Sequence, residues 1–498
     1  MVDILVVGGG IHGAAVARDA ARRGLTVLLL ERGDLASGTS SRTSKLIHGG
    51  IRYLETAQIG LVREALHERT RLLETAPEHV RPLPFLIPHY AREGRRRGVV
   101  SLGLALYAGL AGSERLAEHH QVSAAEAVAM VPGLRTEGLL GGSVYWDAQM
   151  DDAALCVAIA LDAERWGARV RTYAELTAIA RTVDDAAWRV HFRDTIDGVD
   201  GEEEARLVVN ATGPWVDSVR ALARGHVEPT VRRSRGTHVV VPMPVERALL
   251  LTARKDGRVF FVLPWGEHAL IGTTDDDDPG EPGAALPRPE DVRYLLEEAA
   301  RALPERLGDA RPVRAFAGIR PLARGRADRS WENTREARIV VESGMRSIVG
   351  GKYTTHRSLA ERVVDGAARS LGGRARPCDT RTAPVPGGRD AAIAALSREF
   401  PRRVATTGGF AVAEAEAVHA ARAEKARRLD DVLLRRTRLW LDGRALREAA
   451  VPVAAWLAPV LGWSERRRTA EVDRLLAALD REERAIDAVR GDAEEATA

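Results

Sequence analysis

Apolar runs that end in glycine turns mark three widely separated places in the chain. Residues 4–7 form an apolar run that leads into the glycine turn 8–10, followed by a helical pattern over 11–23 and a second apolar run over 26–30. The order strand, glycine turn, helix and strand is typical of the βαβ unit of a parallel sheet. The N-terminal region is therefore predicted to begin a doubly wound α/β domain.

Two later segments repeat the strand-to-glycine pattern. Residues 207–210 lead into the turn 211–214, and residues 347–349 lead into the turn 350–352 and then a helical pattern over 355–371. Ligands of doubly wound sheets bind at the carboxyl ends of the strands. The three turns are therefore predicted to converge on one ligand.

The rest of the chain shows two other patterns. Residues 237–242 and 258–265 carry alternating apolar positions, which predict an antiparallel sheet that forms one wall of a pocket. From residue 384 the composition shifts to Ala, Arg, Leu and Glu at helical spacing, and strand patterns disappear. This C-terminal part is predicted to be a helical domain.

Composition and charge exclude some classes of protein. A chain of 498 residues with 45% hydrophobic content can bury several cores, and its 73 basic and 70 acidic residues leave a net charge of only +3. This balance gives no argument for a nucleic-acid partner. Two cysteines, Cys156 and Cys378, exclude a disulfide framework and a Cys-x-x-Cys metal site. We therefore expect no bound metal. The start of the chain lacks the basic region of a secretory signal, so we expect a cytoplasmic protein.

The first glycine turn has the spacing of a dinucleotide-binding motif. Gly8, Gly10 and Gly13 form G-x-G-x-x-G directly after a strand and at the start of a helix. These glycines permit a tight turn, the approach of a pyrophosphate to the backbone and close packing of helix and strand. Glu31 ends the second strand, where a carboxylate can bind a ribose hydroxyl and repel a 2′-phosphate. An ordinary glycine turn is the alternative interpretation.

The segment after the second strand favours FAD over NAD. Residues 34–50 form a long polar stretch that contains glycines, hydroxyl side chains and Lys45. An NAD domain would return quickly to another crossover, whereas an extended flavin needs hydroxyl groups and backbone donors beyond the pyrophosphate. FAD is therefore the predicted cofactor. A surface loop is the alternative for this stretch.

These patterns predict an α/β fold in three parts. A Rossmann-like FAD-binding domain, made of residues 1–75, 150–225 and 340–375, is interleaved with an antiparallel-sheet substrate domain of residues 76–149 and 226–339. A C-terminal all-helical domain spans residues 384–498.

Several motifs resemble those of the FAD-dependent, respiratory glycerol-3-phosphate dehydrogenases. They are SKLIHGGIRYLE at 44–55, NATGPWV at 210–216, FVLPW at 261–265, IGTTD at 271–275, GIRPL at 318–322, GGK at 350–352 and DVLLRRTR at 431–438. The resemblance extends over nearly the whole chain. The chain departs from the family pattern at Tyr353 and His356, where Leu and an aromatic residue are expected.

The resemblance implies oxidation of sn-glycerol 3-phosphate to dihydroxyacetone phosphate, by hydride transfer from C2 to flavin N5, with a quinone as electron acceptor. The residues predicted to bind FAD are Gly8, Gly10, Gly13, Glu31, Ser40, Ser41, Lys45, Leu46, Ala211, Thr212, Gly213, Gly350, Gly351, Lys352 and Thr354. Lys352 is open to either role, as a ligand of the flavin or of the substrate.

A cationic substrate pocket is expected from both the resemblance and the chemistry. His48 is the predicted general base, because a neutral imidazole can accept a proton near pH 7. The resemblance implies that Arg320 holds the phosphate or polarises the developing alkoxide. The remaining predicted substrate ligands are Ser44, Arg52, Tyr53, Lys255 and Lys352.

Residues 95–111 leave the relation to membranes open. Three arginines at 95–97 precede an apolar stretch that is too short to span a bilayer. Docking on the inner face of the cell membrane and burial as a core helix are equally compatible with this pattern. The oligomeric state also stays open, a homodimer included.

Three alternative functions remain at this point. An oxidase of the same class would pass its electrons to oxygen, and a related enzyme would act on an amine or a 2-hydroxy acid. Such a carboxylate substrate needs one arginine, whereas two arginines and two lysines favour phosphate. A flavin-binding electron relay without its own substrate is the alternative that is not an enzyme.

Overall fold

The computed structural model of the chain describes residues 1–95, 97–114, 116–308, 311–325, 336–400, 403–407 and 410–497. The described strands are β1 (Val2–Val7), β2 (Val27–Leu30), β3 (Leu46–Ile47), β4 (Val80–Tyr90), β5 (His120–Val122), β6 (Leu139–Met150), β7 (Arg169–Arg171), β8 (Ala174–Arg181), β9 (Trp188–Asp194), β10 (Asp200–Asn210), β11 (Val231–Val241), β12 (Ala248–Thr252), β13 (Val259–Trp265), β14 (His268–Gly272), β15 (Asp276–Asp277), β16 (Arg314–Ala323), β17 (Arg338–Glu342), β18 (Met345–Val349), β19 (Val404–Thr407) and β20 (Phe410–Ala413).

The described helices are α1 (Ile11–Arg22), α2 (Ile59–Thr75), α3 (Arg97–Ala111), α4 (Ala124–Met130), α5 (Asp152–Arg165), α6 (Val216–Arg224), α7 (Pro289–Ala302), α8 (Pro304–Leu307), α9 (His356–Ser370), α10 (Arg389–Leu396), α11 (Glu414–Ala423), α12 (Leu429–Arg435), α13 (Gly443–Leu461) and α14 (Glu465–Thr497). Short 3₁₀ segments join some of them. One of these, Ile51–Leu54, lies next to the site described below.

An eight-stranded sheet carries the predicted glycine turns. Its main path runs β17-β18-β10-β1-β2-β7, and β1, β2, β10 and β18 are parallel to their neighbours in this set. The turns after β1, β10 and β18 therefore emerge at the same edge, from three adjacent strands. The predicted convergence of the three turns is confirmed.

Small residues bring the helices close to this sheet. α1 buries Ala14, Ala17 and Ala20 in the same apolar core as Ile4 of β1 and Val363 of α9. β1 and β2 are buried almost throughout because helices and neighbouring segments cover both faces, as expected for a parallel sheet. The apolar runs that predicted these strands reflect this burial.

A ten-stranded sheet forms the second part of the molecule. Its path is β15-β11-β14-β13-β12-β4-β6-β3, with β16 paired to β11 and β5 paired to β6. The predicted antiparallel pairing is present, because β11 is antiparallel to β14 and β16, and β13 is antiparallel to β12 and β14. β3 joins this sheet although the sequence placed residues 1–75 with the FAD-binding segments.

The C-terminal part is mainly helical. α12, α13 and α14 share an apolar core that includes Leu433, Leu446, Val453 and Leu475. β19 and β20 form an antiparallel ribbon within this part, so the prediction of helices alone is corrected by two short strands. Their pattern was too brief to distinguish from a helical one.

Candidate active site

A cavity of about 720 Å³ lies where the glycine turns meet the antiparallel sheet. The turns after β1, β10 and β18 line it on one side, and residues of β11 and β16 line it on the other. Its volume lies within the range of cofactor sites, about 300–1,000 Å³. The cavity therefore has the position predicted for a dinucleotide in a doubly wound sheet.

The first glycine turn has no room for side chains. Gly8 has a φ of +104°, and a Cβ atom there would lie 2.8 Å from the carbonyl oxygen of Ala211. A Cβ atom on Gly13 would lie 1.8 Å from the carbonyl oxygen of Gly8. Glycine at these positions lets β1 and α1 pack together and leaves the N-terminus of α1 facing the cavity, where backbone N–H groups favour a phosphate.

Glu31 lies at the end of β2 and orders the loop that follows. Its carboxylate accepts hydrogen bonds from the backbone N–H groups of Gly9, at 2.6 Å, and Gly33, at 2.8 Å. Burial raises the pKa of Glu31, and these two hydrogen bonds act in the opposite direction. The side chain lines the cavity, as required of an acid that binds a ribose hydroxyl.

The third glycine turn packs against α1. Gly351 has a φ of +101°, and a Cβ atom there would lie 2.6 Å from Cε1 of His12. His12 Nε2 lies 3.4 Å from the carbonyl oxygen of Lys352, and His356 Nδ1 lies 2.8 Å from that of Tyr353. Burial lowers the pKa of each of these two histidines to about 4. Both rings are therefore neutral at pH 7 and hold the turn without adding charge.

The predicted cofactor residues fall into two groups. Those that line the cavity are Gly8, Gly10, Glu31, Ser40, Leu46, Ala211, Thr212, Gly213, Gly351, Lys352 and Thr354, whereas Gly13, Ser41, Lys45 and Gly350 lie behind its lining. Lys45 is buried, pairs with Asp152 at the start of α5 and lies 4.2 Å above the ring of Trp440. A helix N-terminus, an acid at the end of β2 and a glycine cradle together fit FAD.

Arg320 projects from β16 into the same cavity. Its guanidinium donates to the carbonyl oxygen of Thr274 at 3.0 Å and to Oγ1 of Thr273 at 2.6 Å, and it lies 3.6 Å from Asp275. Gly236 of β11 makes room for it, because a Cβ atom there would lie 2.1 Å from Nη2 of Arg320. These contacts hold a positive charge at one end of the cavity.

Lys352, Tyr53 and Gly50 form the neighbouring part of this end. The Nζ atom of Lys352 lies 3.7 Å from the centroid of the Tyr53 ring, a cation–π contact. Gly50 has a φ of +78°, and a Cβ atom there would lie 2.4 Å from the Tyr53 ring and 3.1 Å from Nζ of Lys352. The second glycine of the HGG motif, Gly50, therefore allows the tyrosine and the lysine to meet.

His48 lies in the loop after β3 and lines the cavity. Its backbone N–H donates to Oγ1 of Thr354 at 3.3 Å, and its ring packs edge-on against Phe261 with centroids 6.4 Å apart. The hydrogen bond links the HGG segment to the turn after β18. The structure thus brings His48 to the same end of the cavity as Arg320 and Lys352.

His238 of β11 is a candidate that the sequence reasoning missed. Its Nε2 is hydrogen-bonded to Oγ of Ser44 at 2.9 Å, and its buried Nδ1 has no hydrogen-bond partner among the described residues. Burial, together with the positive charges of Arg320 and Lys45, holds the pKa of His238 well below its usual value. A neutral histidine therefore lines the cavity near Arg320. A histidine directly before the apolar run 239–241 of β11 was the signal that could have revealed it.

Arg52 and Lys255 do not line this cavity. Arg52 lies in the 3₁₀ segment Ile51–Leu54, with its guanidinium 5.3 Å from the Tyr53 ring, and lines a second cavity of about 300 Å³. Lys255 lies in the exposed turn between β12 and β13, where its backbone N–H donates to Glu298. Of the predicted substrate ligands, the structure therefore brings together Ser44, Tyr53 and Lys352 with His48 and Arg320.

Comparison with known proteins agrees with the fold and the cavity. Residues 3–357 match the family described as FAD dependent oxidoreductase, and residues 387–468 match the C-terminal domain of alpha-glycerophosphate oxidase. Glycerol-3-phosphate dehydrogenase 2 of Mycobacterium tuberculosis is 36% identical, over 95% of this chain and 87% of that protein. The mitochondrial glycerol-3-phosphate dehydrogenase of Mesocricetus auratus is 35% identical, over 95% of this chain and 72% of that protein.

A solved structure extends the agreement to three dimensions. The X-ray structure of the glycerol-3-phosphate dehydrogenase from Bacillus halodurans, complexed with FAD, has a TM-score of 0.75 and 26% identity to this chain. The match covers 96% of this chain and 94% of that one. The resemblance inferred from the sequence motifs is confirmed. The chain therefore belongs to the FAD-dependent oxidoreductase family and, within it, to the glycerol-3-phosphate dehydrogenases.

Proposed function

We propose that the chain oxidises the C2 hydroxyl group of sn-glycerol 3-phosphate to the ketone of dihydroxyacetone phosphate. The observation that carries this proposal is the presence of two cations, Arg320 and Lys352, and two histidines, His48 and His238, at one end of a cavity whose other end fits FAD. A phosphate needs fixed positive charge, and oxidation of an alcohol needs a proton acceptor. The names of the relatives support the same substrate.

The residues of the cavity divide the chemistry between them. FAD, when bound, supplies the acceptor for the hydride that leaves C2. Arg320 and Lys352 hold the phosphate, and the positive charge of Arg320 also stabilises the developing alkoxide. Ser44 and Tyr53 orient the glycerol carbons. His48 accepts the proton of the C2 hydroxyl group as the hydride departs.

His238 is the second candidate for the base. Its buried Nδ1 lacks a partner among the described residues, and its imidazole is neutral at pH 7. The hydrogen bond between its Nε2 and Ser44 fixes the orientation of the ring. In the arrangement that we favour, His238 positions Ser44 and the substrate while His48 accepts the proton.

Anaerobic mixing tests the substrate directly. Purified protein with bound FAD is mixed with glycerol 3-phosphate, and flavin absorbance near 450 nm is followed. We expect bleaching within one turnover and the appearance of dihydroxyacetone phosphate. Glycerol, glycine and lactate serve as controls for the alternative substrate classes. Bleaching by glycine or lactate, with no response to glycerol 3-phosphate, would replace this proposal with an amine or 2-hydroxy acid oxidase.

We further propose a quinone as the electron acceptor. The second cavity has apolar walls from Val99, Leu102 and Leu106 of α3, and it shares the segment Ile51–Leu54 with the FAD cavity. Tyr53 of that segment lines the FAD cavity. A flat apolar acceptor would therefore bind on the far side of one short segment. Faster reoxidation of the bleached enzyme by a soluble quinone than by air is the expected result, and the reverse order would identify an oxidase.

The exposure of apolar side chains on α3 supports a further proposal, that the protein contacts the inner face of the cell membrane. Val100, Leu104 and Tyr107 are buried, whereas Val99, Leu102 and Leu106 are 57%, 72% and 43% exposed. The helix thus has one buried face and one exposed apolar face, and the exposed face is the one that would meet the membrane; Arg96 lies outside the described residues. No described helix is long and apolar enough to cross a bilayer.

Vesicle sedimentation tests this contact. We expect the protein to sediment with vesicles that contain anionic lipid more than with zwitterionic ones, because Arg95 and Arg97 lie at the N-terminal end of the apolar helix. Leu102→Gln should reduce sedimentation, while Val183→Gln, which removes an exposed apolar side chain on the distant β8–β9 hairpin, should not. Equal sedimentation of Leu102→Gln and the unchanged protein would show that α3 is not the contact.

A further inference from the structure

Two arginines at the end of α12 extend from the C-terminal helices into the FAD-binding part. Arg435 donates from Nε to Oδ2 of Asp34 at 2.5 Å. Arg436 donates to both oxygens of the same carboxylate, at 2.9 Å and 2.8 Å. The Asp34 side chain is fully buried, and the two arginine side chains are 7% and 1% exposed. Bidentate charged hydrogen bonds of this kind hold both partners in one geometry.

Asp34 belongs to the loop that forms the ribose end of the cavity. The cavity is lined there by Glu31, Arg32 and Gly33, which directly precede Asp34. The carbonyl oxygen of Asp34 accepts the backbone N–H of Ser37 at 3.1 Å, which closes the loop. The arginine pair thus contacts this loop from the side that faces away from the cavity.

A second contact reaches the segment that lies next to this loop, at the start of β8. Tyr173 donates its hydroxyl group to Oδ1 of Asp431, on α12, at 2.5 Å. The backbone N–H of Tyr173 donates to Gly33 at 2.9 Å, and that of Ala174 donates to Glu31 at 2.8 Å. Ala174 lines the cavity. α12 therefore holds two segments of the FAD-binding part, and these segments are also joined to each other.

We propose that Arg435 and Arg436 are positioning residues for the cofactor, through which the C-terminal domain keeps the ribose-binding loop in its FAD-binding conformation. No described residue after Thr354 lines the cavity. The C-terminal helices can therefore influence FAD only through the residues that they contact behind the lining. Without the arginine pair, the buried charge of Asp34 would draw the loop toward water. The proposal rests on FAD binding and is independent of the substrate.

The release of FAD from the full-length holoenzyme tests this role. Flavin fluorescence is followed after dilution, and the dissociation constant is measured by titration. We expect Arg436→Met to weaken FAD binding about 10- to 100-fold, the range found for outer-shell partners of bound metal ions. Arg436→Lys, which keeps the charge but not the bidentate geometry, should recover part of the affinity. At saturating FAD, the visible spectrum should equal that of the unchanged protein.

Arg447→Met is the matched control. Arg447 pairs with Asp480 and Glu483 at 2.6 Å each, within the C-terminal helices and away from the loop. It should retain FAD like the unchanged protein. The proposal is overturned if folded Arg436→Met releases FAD at the original rate, or if Arg447→Met releases it as fast as Arg436→Met does.

Hydrogen exchange of the unchanged protein gives an independent readout that does not depend on the folding of any variant. If the loop and α12 are coupled, FAD binding must slow the exchange of the α12 amides, because coupling between two sites is reciprocal. Equal exchange of α12 with and without FAD would also overturn the proposal.

Tyr173→Phe, which removes only one hydroxyl group, should show about 10-fold or less weakening of FAD binding.

Discussion

At the end of the cavity around Gly8, Gly13 and Glu31, the lining is mainly backbone, held in place by glycines that leave no room for side chains. At the end around His48 and Arg320, the lining consists of side chains that project from strands and loops of the antiparallel sheet and from the turn after β18. Binding at the first end depends on empty space and N–H groups. Chemistry at the second end depends on charge and a proton acceptor. Substitutions that add atoms should therefore impair FAD binding at the first end. Substitutions that remove side-chain atoms should impair catalysis at the second end.

The largest effect is expected from added atoms at the backbone end. Gly13→Ala places a Cβ atom 1.8 Å from the carbonyl oxygen of Gly8, so β1 and α1 must separate or the turn must change. We expect purified protein without bound flavin, or protein that does not fold. Flavin absorbance per chain and thermal unfolding measure the two outcomes.

Gly60→Ala is the control for this change. Gly60 lies in α2, and a Cβ atom there would meet nothing within 4 Å. Alanine in an exposed helix should be neutral or stabilising by about 0.5–1 kcal/mol. A full complement of flavin in Gly13→Ala would contradict the comparison between the two ends.

Removing the base should have the next largest effect. We expect His48→Gln to slow the reductive half-reaction by about 10² to 10⁴, with FAD content unchanged. Rapid mixing across pH measures the rate, and His238→Gln is the companion variant. If His48→Gln keeps the original rate and His238→Gln loses it together with its pH dependence, the proton acceptor is His238.

Removing a positive charge from the side-chain end should reduce catalysis and leave the cofactor in place. Arg320→Ala should lose catalytic efficiency equivalent to roughly 2 to 5 kcal/mol, because a charged partner of the substrate is missing. Lys255→Ala also removes one positive charge, from an exposed turn outside the cavity, and should have little effect. Equal losses in the two variants would mean that net charge, and not position, governs binding.

The last expected effect is on stability and not on catalysis, and it is a pH dependence of the free energy of unfolding that arises beside the backbone end. His12 and His356 have folded-state pKa values of about 4, compared with an ordinary value of 6.5. Between these values the unfolded chain binds protons that the folded chain excludes. The free energy of unfolding should therefore fall as the pH drops from about 6.5 to about 4, by up to about 3 kcal/mol for each histidine.

His356→Phe should flatten this decline, and denaturant unfolding at several pH values measures it. His226→Phe, at an exposed position, is the control and should leave the decline unchanged. An identical pH dependence in His356→Phe and the unchanged protein would show that other groups cause the loss of stability.

The backbone end was largely predictable because its signals are local. Gly8, Gly10, Gly13 and Glu31 lie within one βαβ unit, where the spacing along the chain sets the spacing in the structure. The second and third turns were recognisable for the same reason. The helical tail also followed from periodicity, whereas the short ribbon β19–β20 lacked enough residues to show a pattern.

The side-chain end was only partly predictable. The resemblance identified His48, Arg320 and Lys352, which the structure places in one cavity, but it also included Lys255, which lies in an exposed turn. His238 was missed because its role depends on Ser44, and the two residues come from distant segments that meet only through the sheet pairing. Charge at a position in the chain does not reveal which way a side chain faces.

The sequence by itself determined the family, the cofactor and the order of the main strands and helices, because glycine spacing and apolar periodicity act over a few residues. The tertiary structure decided which distant residues meet. The ion pairs between Asp34 and the arginine pair of α12 join positions about four hundred residues apart. Such a contact leaves no local pattern, because its free energy arises only when folding buries both charges together.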